Sequence, residues 1–377
     1  MRKRILLGHL NSNGDCLFAT VIARQIKEAD HPGCHLTWAV SSRCKQSVEL
    51  NPFVDEIWEV PIASSTAGVG EWSAFVADAQ DRKAKGEFDI IYLTQIFDEN
   101  WFNYDGGIRS STYNNYPNQV TVPYQPVIEL SYSEVERVKD FAGQHRLETF
   151  KKVILVECGA DSFETALSPR SAFELASQLT ADDPELAFIL SSNKKIESET
   201  PQIVDASVLS FRENAELSKY CDLFVGCGSG ISWLMTTNWA KKLDLILIIK
   251  AEHVPFPSMI YDHEYVGLST NHIIEIQSGT DAIPKLKACL SEIQSGGFAR
   301  ARKSFNEKIF LANYNFLYDQ VRTALSKFEF GKAFGCLRRC IRRNGVNFVF
   351  SRHFAQLFIH LATAFSKKII DWRQLRS

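Results

Sequence analysis

RILLGHLNSNGD, residues 4–15, holds a complete structural phrase. Ile5, Leu6 and Leu7 are a short apolar run behind basic residues, and Asn11-Ser12-Asn13-Gly14-Asp15 is a polar, glycine-containing turn. Leu17, Phe18, Val21, Ile22 and Ile26 then recur at helical spacing. The pattern predicts a strand, a tight turn and a helix. In an open parallel sheet such a turn sits at the carboxyl end of a strand, where ligands bind. Asp15 has two readings there. It caps the helix, because Asp favours that position, or it stands as a general base at the mouth of a cleft.

Outward from this turn, strands and helices alternate. Residues 35–40 and 56–60 read as strands, 43–50 as a short helix, and 71–85 as a helix with Trp72, Phe75, Val76 and Ala79 on one stripe. Residues 89–96, DIIYLTQI, read as a buried strand. The alternation predicts a parallel sheet with helices on both faces. No G-x-G-x-x-G follows the first strand, so the usual dinucleotide signature is missing. The stretch 97–126 is long for a connection and reads as a functional loop. Its Trp101 and Tyr104, with Arg109, suit a sugar ring, which presents apolar C–H patches beside hydroxyls. A loop packing its own aromatics over the sheet fits the same residues.

A helix over 131–146 carries the chain into a second alternating region. Residues 153–158 form a strand ending at Gly159-Ala160-Asp161, and Ser168-Pro169 opens a helix with Ser at the cap and Pro in the first turn. Strands follow at 186–192, 207–211, 222–225, 243–250 and 273–277, with helices at 214–220 and 281–293. The stretch 222–234, DLFVGCGSGISWL, runs a strand through Gly226-Cys227-Gly228-Ser229-Gly230 into a helix. Glycines let backbone approach a phosphate, and a helix N-terminus offers N–H donors and a favourable dipole. Close packing also calls for glycine, so this turn alone has both readings.

Ser12-Asn13-Gly14-Asp15, then Asn51-Pro52-Phe53-Val54-Asp55-Glu56-Ile57, then Gly226, Ser229, Gly230 and Leu234 resemble the phrases of glycosyltransferase family 9, the heptosyltransferases and their relatives. The resemblance covers roughly residues 1–295. It implies the GT-B fold: α/β, two Rossmann-like lobes with parallel sheets, here with a helical C-terminal extension. The expected division is an acceptor-side lobe over 1–130, a nucleotide-sugar-binding lobe over 131–295, and a basic extension over 296–377. The implied activity is inverting transfer of a sugar from a nucleotide-activated donor to a cell-envelope glycan acceptor: lipopolysaccharide, O-antigen or capsule. Asp15 becomes the catalytic base. Gly228, Ser229, Gly230, Gly159 and Thr165 become the donor-diphosphate residues, and Asn13, Gly14, Trp101, Tyr104 and Arg109 the acceptor side. Three departures stand against the family phrase: Gly228 replaces its Asp, Trp233 its His, and Thr165 its lysine. Arg170, Lys194 or Lys195 are the candidate replacement cations. Two rivals follow. One is a catalytically silent member that binds a nucleotide sugar or a partner. The other is a nucleotide-sugar epimerase of similar two-lobed shape.

Composition sets the remaining bounds. A chain of 377 residues fits two domains, and 45% apolar with 23% charged residues is a soluble globular balance. The nine cysteines are scattered without a CxxC pair, so reduced cytosolic thiols are expected and no zinc or other metal site. No cofactor is expected. The apolar run after Arg4 is too short for a secretory leader, and no run long enough for a membrane span exists. The net charge of −2 hides an imbalance: 16 Lys+Arg against 4 Asp+Glu after residue 295, a net of +12 against −14 for the rest. The basic extension is expected to meet an anionic surface. Without a nucleic-acid motif, the surface expected is a membrane, with the protein cytoplasmic and peripheral on the inner face.

Overall fold

The computed structural model describes residues 2–62, 68–97, 103, 107–159, 167–250, 258–309, 321, 323–327, 329–349, 355, 359 and 362–363. Trp101, Tyr104 and Thr165 lie outside the described residues.

Two parallel sheets organise the chain. The first takes β1 (Arg4–Gly8), β2 (His35–Ser41), β3 (Glu56–Val60) and β4 (Ile90–Leu93) in the order β3-β2-β1-β4. The second takes β5 (Lys152–Glu157), β6 (Leu186–Ser191), β7 (Ile203–Asp205), β8 (Leu223–Gly226), β9 (Asp244–Ile249) and β10 (Ile273–Gln277) in the order β10-β9-β8-β5-β6-β7. Strands such as LAFILS and DLILII are almost wholly buried, as a sheet covered on both faces requires. Strand order reverses between β1 and β4 and again between β5 and β8. Those reversals open crevices at the carboxyl ends of the strands. Asp15 follows β1, Glu157 ends β5, and the turn Gly226–Gly230 follows β8.

The helices are α1 (Asn13–Gln25), α2 (Val69–Ala84), α3 (Ile108–Asn114), α4 (Tyr132–Gln144), α5 (Pro169–Asp182), α6 (Glu213–Leu217), α7 (Gly230–Leu234), α8 (Met259–Tyr265), α9 (Ala282–Gly296), α10 (Phe298–Phe305) and α11 (Phe330–Val349). α4 begins at a capping box: the Ser131 hydroxyl accepts from the Glu134 N–H, and the Glu134 carboxylate accepts from the Ser131 N–H at 2.7 Å. α5 opens as expected, with Ser168 capping and Pro169 first.

Three expectations change. The stretch 97–126 is not loop throughout, because α3 crosses it. Arg109, Ser110, Ser111 and Thr112 are buried, so tertiary packing overrides the modest helix propensity of IRSSTYN. Residues 207–211 form no strand. The Asp205 carboxylate accepts from the Ser207 N–H at 3.0 Å and its hydroxyl at 2.8 Å, closing a local turn where β7 ends. The helix expected over 43–50 is a single 3₁₀ turn, Lys45–Ser47, and Leu50 then takes a positive φ of 59°.

The C-terminal region returns to the body. Val321, Leu325, Ala333, Cys336 and Leu337 are buried in one cluster with residues of both lobes. Ala333, Cys336 and Leu337 sit on one face of α11 at helical spacing. Phe334, Arg338, Ile341 and Arg342 are exposed. No helix among the described residues is long and apolar enough to cross a membrane.

Candidate active site

The two turns singled out in the sequence meet across the lobe interface. A Cβ built on Gly14 would lie 3.1 Å from Cδ1 of Trp233 and 3.4 Å from Cα of Gly230. One built on Gly230 would lie 3.2 Å from Cβ of Asn13 and 3.2 Å from the Phe211 ring. The Trp233 ring at Gly14, and Asn13 and the Phe211 ring at Gly230, leave little room for a side chain at either place. Asn13 is fixed from its own lobe, where its side-chain oxygen accepts from the Ser47 hydroxyl at 2.8 Å.

Asp15 stands in the first turn of α1 and is mostly buried, its side chain 14% exposed. It is not the N-cap; that position is Ser12, whose side chain makes no capping bond and whose hydroxyl donates instead to Asp15 Oδ2 at 3.2 Å. The guanidinium of Arg109 approaches Asp15 Oδ1 through Nε at 3.4 Å and Asp262 Oδ2 through Nη1 at 3.6 Å. Its Nη2 donates to the Gly228 carbonyl at 3.4 Å, and the group lies over the Trp233 ring, 4.6 Å from the centroid. Arg109 and Asp15 belong to the first lobe; Asp262, Gly228 and Trp233 belong to the second. Burial raises the pKa of Asp15, while Arg109 and Ser12 pull it back.

Asp262 is held by its helix. Glu275 on β10 accepts from the Ser258 hydroxyl at 2.7 Å and from the Ile260 N–H at 3.0 Å, which pins the start of α8. Burial pushes Glu275 up to about 7. Trp233 is fully buried, stacked on His263 and edge-on to Phe18. A cavity of about 740 Å³ adjoins this cluster, lined by Phe18, Tyr124, Trp233, Asp262 and His263 among others. The turn Gly228–Gly230 does not line it.

Behind that turn lies Glu157. Its buried carboxylate accepts from the hydroxyls of Ser229 and, at 2.9 Å, Ser232. Burial lifts Glu157 to about 7. The Ser232 hydroxyl also accepts from the Gly228 N–H at 3.1 Å. The Ser229 side chain thus faces inward, and Gly228's amide serves its own turn. The Gly159 amide likewise donates to the Leu167 carbonyl at 3.1 Å, and a Cβ at Gly159 would strike Pro169 at 2.7 Å. Arg170 is 89% exposed and paired with Glu174, and Lys195 is paired with Glu197, both on the surface.

Of the residues named from sequence, the fold gathers Asn13, Gly14, Asp15, Arg109, Gly228, Ser229 and Gly230 into one place. Arg109 arrives on a buried helix rather than a loop. Asp262 and Glu157 were missed. Glu157 carried a signal, a carboxylate ending an apolar strand next to the switch point; Asp262 sits in an ordinary helical stretch and carried none.

No protein-family model and no curated protein sequence matches the chain. Solved structures do. The crystal structure of the glycosyl transferase family 9 protein from Veillonella parvula DSM 2008 superposes with a TM-score of 0.54 at 14% identity, covering 84% of this chain and 98% of that one. ADP-heptose lps heptosyltransferase II of E. coli gives 0.49 at 14% identity over 78% and 98%. A putative UDP-N-acetylglucosamine 2-epimerase from Listeria monocytogenes gives 0.47 at 8% identity over 87% and 97%. The first likeness shows the fold: two parallel-sheet lobes in the GT-B arrangement.

Proposed function

We propose that the protein is a heptosyltransferase-like, inverting glycosyltransferase. It moves a sugar from a nucleotide-activated donor to a cell-envelope glycan or glycolipid acceptor, in lipopolysaccharide, O-antigen or capsule synthesis. The observation that carries this reading is Asp15, a largely buried carboxylate at the lobe interface, beside Gly14 and next to the Arg109 that reaches the turn after β8, on a fold shared with a family 9 glycosyltransferase.

In this reading Asp15 takes the proton of the acceptor hydroxyl as its oxygen attacks the anomeric carbon. The bond to the donor's diphosphate breaks on the opposite face, which inverts the configuration. The backbone around Ser229 and Gly230 receives the leaving diphosphate. Desolvation helps the base: a carboxylate whose pKa is raised accepts a proton more readily near neutral pH. Protein groups alone neutralise the diphosphate in this scheme, and neither metal nor cofactor takes part.

Purified protein incubated with a panel of nucleotide sugars, with and without glycan acceptor, tests the reading. Nucleoside diphosphate released in step with acceptor glycosylation is the expected result. Release of an epimerised sugar without acceptor makes it an epimerase. Binding without turnover makes it a silent relative, a reading favoured by Trp233 and Gly228 in place of the family's His and Asp. The exposed face of α11, with Phe334 and Ile341 among Arg338 and Arg342, supports peripheral placement on an anionic inner membrane surface, where a lipid-linked acceptor would be met. Sedimentation with anionic liposomes at low salt, weakened at high salt, is expected. The basic extension is assigned to membrane and not to nucleic acid.

A further inference from the structure

At the turns that hold Gly14 and Gly230 the lobes approach closely. A Cβ added at Gly14 would lie 3.4 Å from Cα of Gly230, and one added at Gly230 would lie 3.2 Å from Cβ of Asn13. A donor diphosphate seated between the two turns requires them to part. Asp15 and Arg109 move together in that separation, because both ride on the first lobe. The contacts of Arg109 to Asp262, the Gly228 carbonyl and the Trp233 ring cross the interface and break.

The arginine is poorly satisfied where it stands. Its Nε and Nη1 are buried and make no hydrogen bond to any described residue; they only approach carboxylates at 3.4 and 3.6 Å. Buried donors of a charged group without acceptors are costly and uncommon. Asp15 and Asp262 flank the guanidinium at 3.4 and 3.6 Å, and buried ion pairs of poor geometry return little of their desolvation cost. A guanidinium is a planar fork that binds phosphate oxygens in pairs. Among the described residues it is the cation that reaches the turn, whereas Arg170 and Lys195 are engaged on the surface.

Resting on the donor reading above, we infer that Arg109 exchanges partners during the cycle: Asp262 and the Gly228 carbonyl hold it in the arrangement described here, and the donor's diphosphate takes it over when the lobes part and close again. Arg109 thereby supplies, from the opposite lobe, the cation that the family phrase places at residue 165. Asp262 is the latch that competes with the ligand.

Calorimetric titration of the full chain tests this, using ADP, UDP and GDP and the matching nucleosides against wild type, Arg109→Lys, Arg109→Gln and Asp262→Asn. For the diphosphate that wild type binds, Arg109→Gln should weaken affinity by at least about tenfold, the worth of a charge-assisted hydrogen bond. Arg109→Lys should fall between the two, and nucleoside affinity should not change. Asp262→Asn should tighten the diphosphate by about threefold or more, because a competitor for the arginine is gone. It should also enlarge the empty protein in small-angle scattering, with the diphosphate restoring compactness. Diphosphate affinity unaltered in the Arg109 variants, or weakened in Asp262→Asn, overturns the exchange. A wild type that binds none of the diphosphates overturns the donor reading beneath it. Arg109→Lys and Asp262→Asn keep charge or shape, so the test survives if Arg109→Gln does not fold.

Discussion

Arg109 and Arg212 both cross the lobe interface, and they are held in opposite ways. Arg212, just before α6, donates through Nε to Glu134 at 2.6 Å, through Nη1 to the carbonyls of Gln46 at 3.0 Å and Glu49 at 2.8 Å, and through Nη2 to the carbonyl of Glu129. Every nitrogen of its fork has an acceptor, and residues of the first lobe, α4 and the second lobe are tied at one point. Arg109 is just as buried, yet its contacts stand at 3.4 to 3.6 Å and two of its nitrogens have no hydrogen bond to a described residue. A fully connected polar network rigidifies; a partly satisfied one waits for a further acceptor. On the reading proposed above, the difference separates a clasp from a working group beside Asp15.

The largest expected effect lies on the Arg109 side. Asp15→Asn keeps the shape and removes the proton acceptor, so turnover should fall roughly 10²–10⁴-fold in a steady-state transfer assay, with little change in the denaturation midpoint. If turnover survives, Asp15 belongs with Arg212 as scaffold. Arg212→Ala should do the reverse. It strands the Glu134 carboxylate and three carbonyls in the interface, which should cost about 3–5 kcal/mol in urea unfolding. A cost no larger than that of a surface substitution would erase the contrast between the two arginines.

The smallest effect is a difference of sign with pH. Burial pushes Glu134 up, but hydrogen bonds from Arg212 and Ser131 outweigh it, and its pKa lies below the ordinary 4.5. Its contribution to stability is present above that value and is lost as pH falls through the folded pKa. Glu157, under the Ser229 turn, has the opposite shift, up to about 7 by burial. Its contribution is present below 4.5 and is lost as pH rises through about 7. Melting temperatures from pH 3 to 8 should therefore flatten at the acid end in Glu134→Gln and between about 5 and 7.5 in Glu157→Gln. Identical profiles for the two variants would mean that the carboxylates do not differ as described.

Much of this was legible beforehand. The strand-turn-helix at residues 4–15, the helix from Ser131, the Pro-led start of α5 and the strand 273–277 were all readable, because each is a local pattern of period, cap or turn chemistry. Asp15 and the turn at 226–230 were readable as candidates for the same reason. Residues 207–211 misled because Asp205 offers the backbone a competing local bond. Arg109 was read as part of a loop because its helix forms through burial rather than propensity. Asp262 was invisible, since nothing local distinguishes it from any acidic residue on a short helix.

The chain's own order thus determined the two alternating α/β regions and the two polar turns, because hydrophobic periodicity and backbone preferences act over a few residues. Only the tertiary structure decided which turn faces which, that Ser229 points inward to Glu157, and that one guanidinium stands between carboxylates of different lobes. Those are contacts between residues 72 or more positions apart in the chain. Their energies depend on desolvation and distance, quantities that exist only once both lobes have folded and closed.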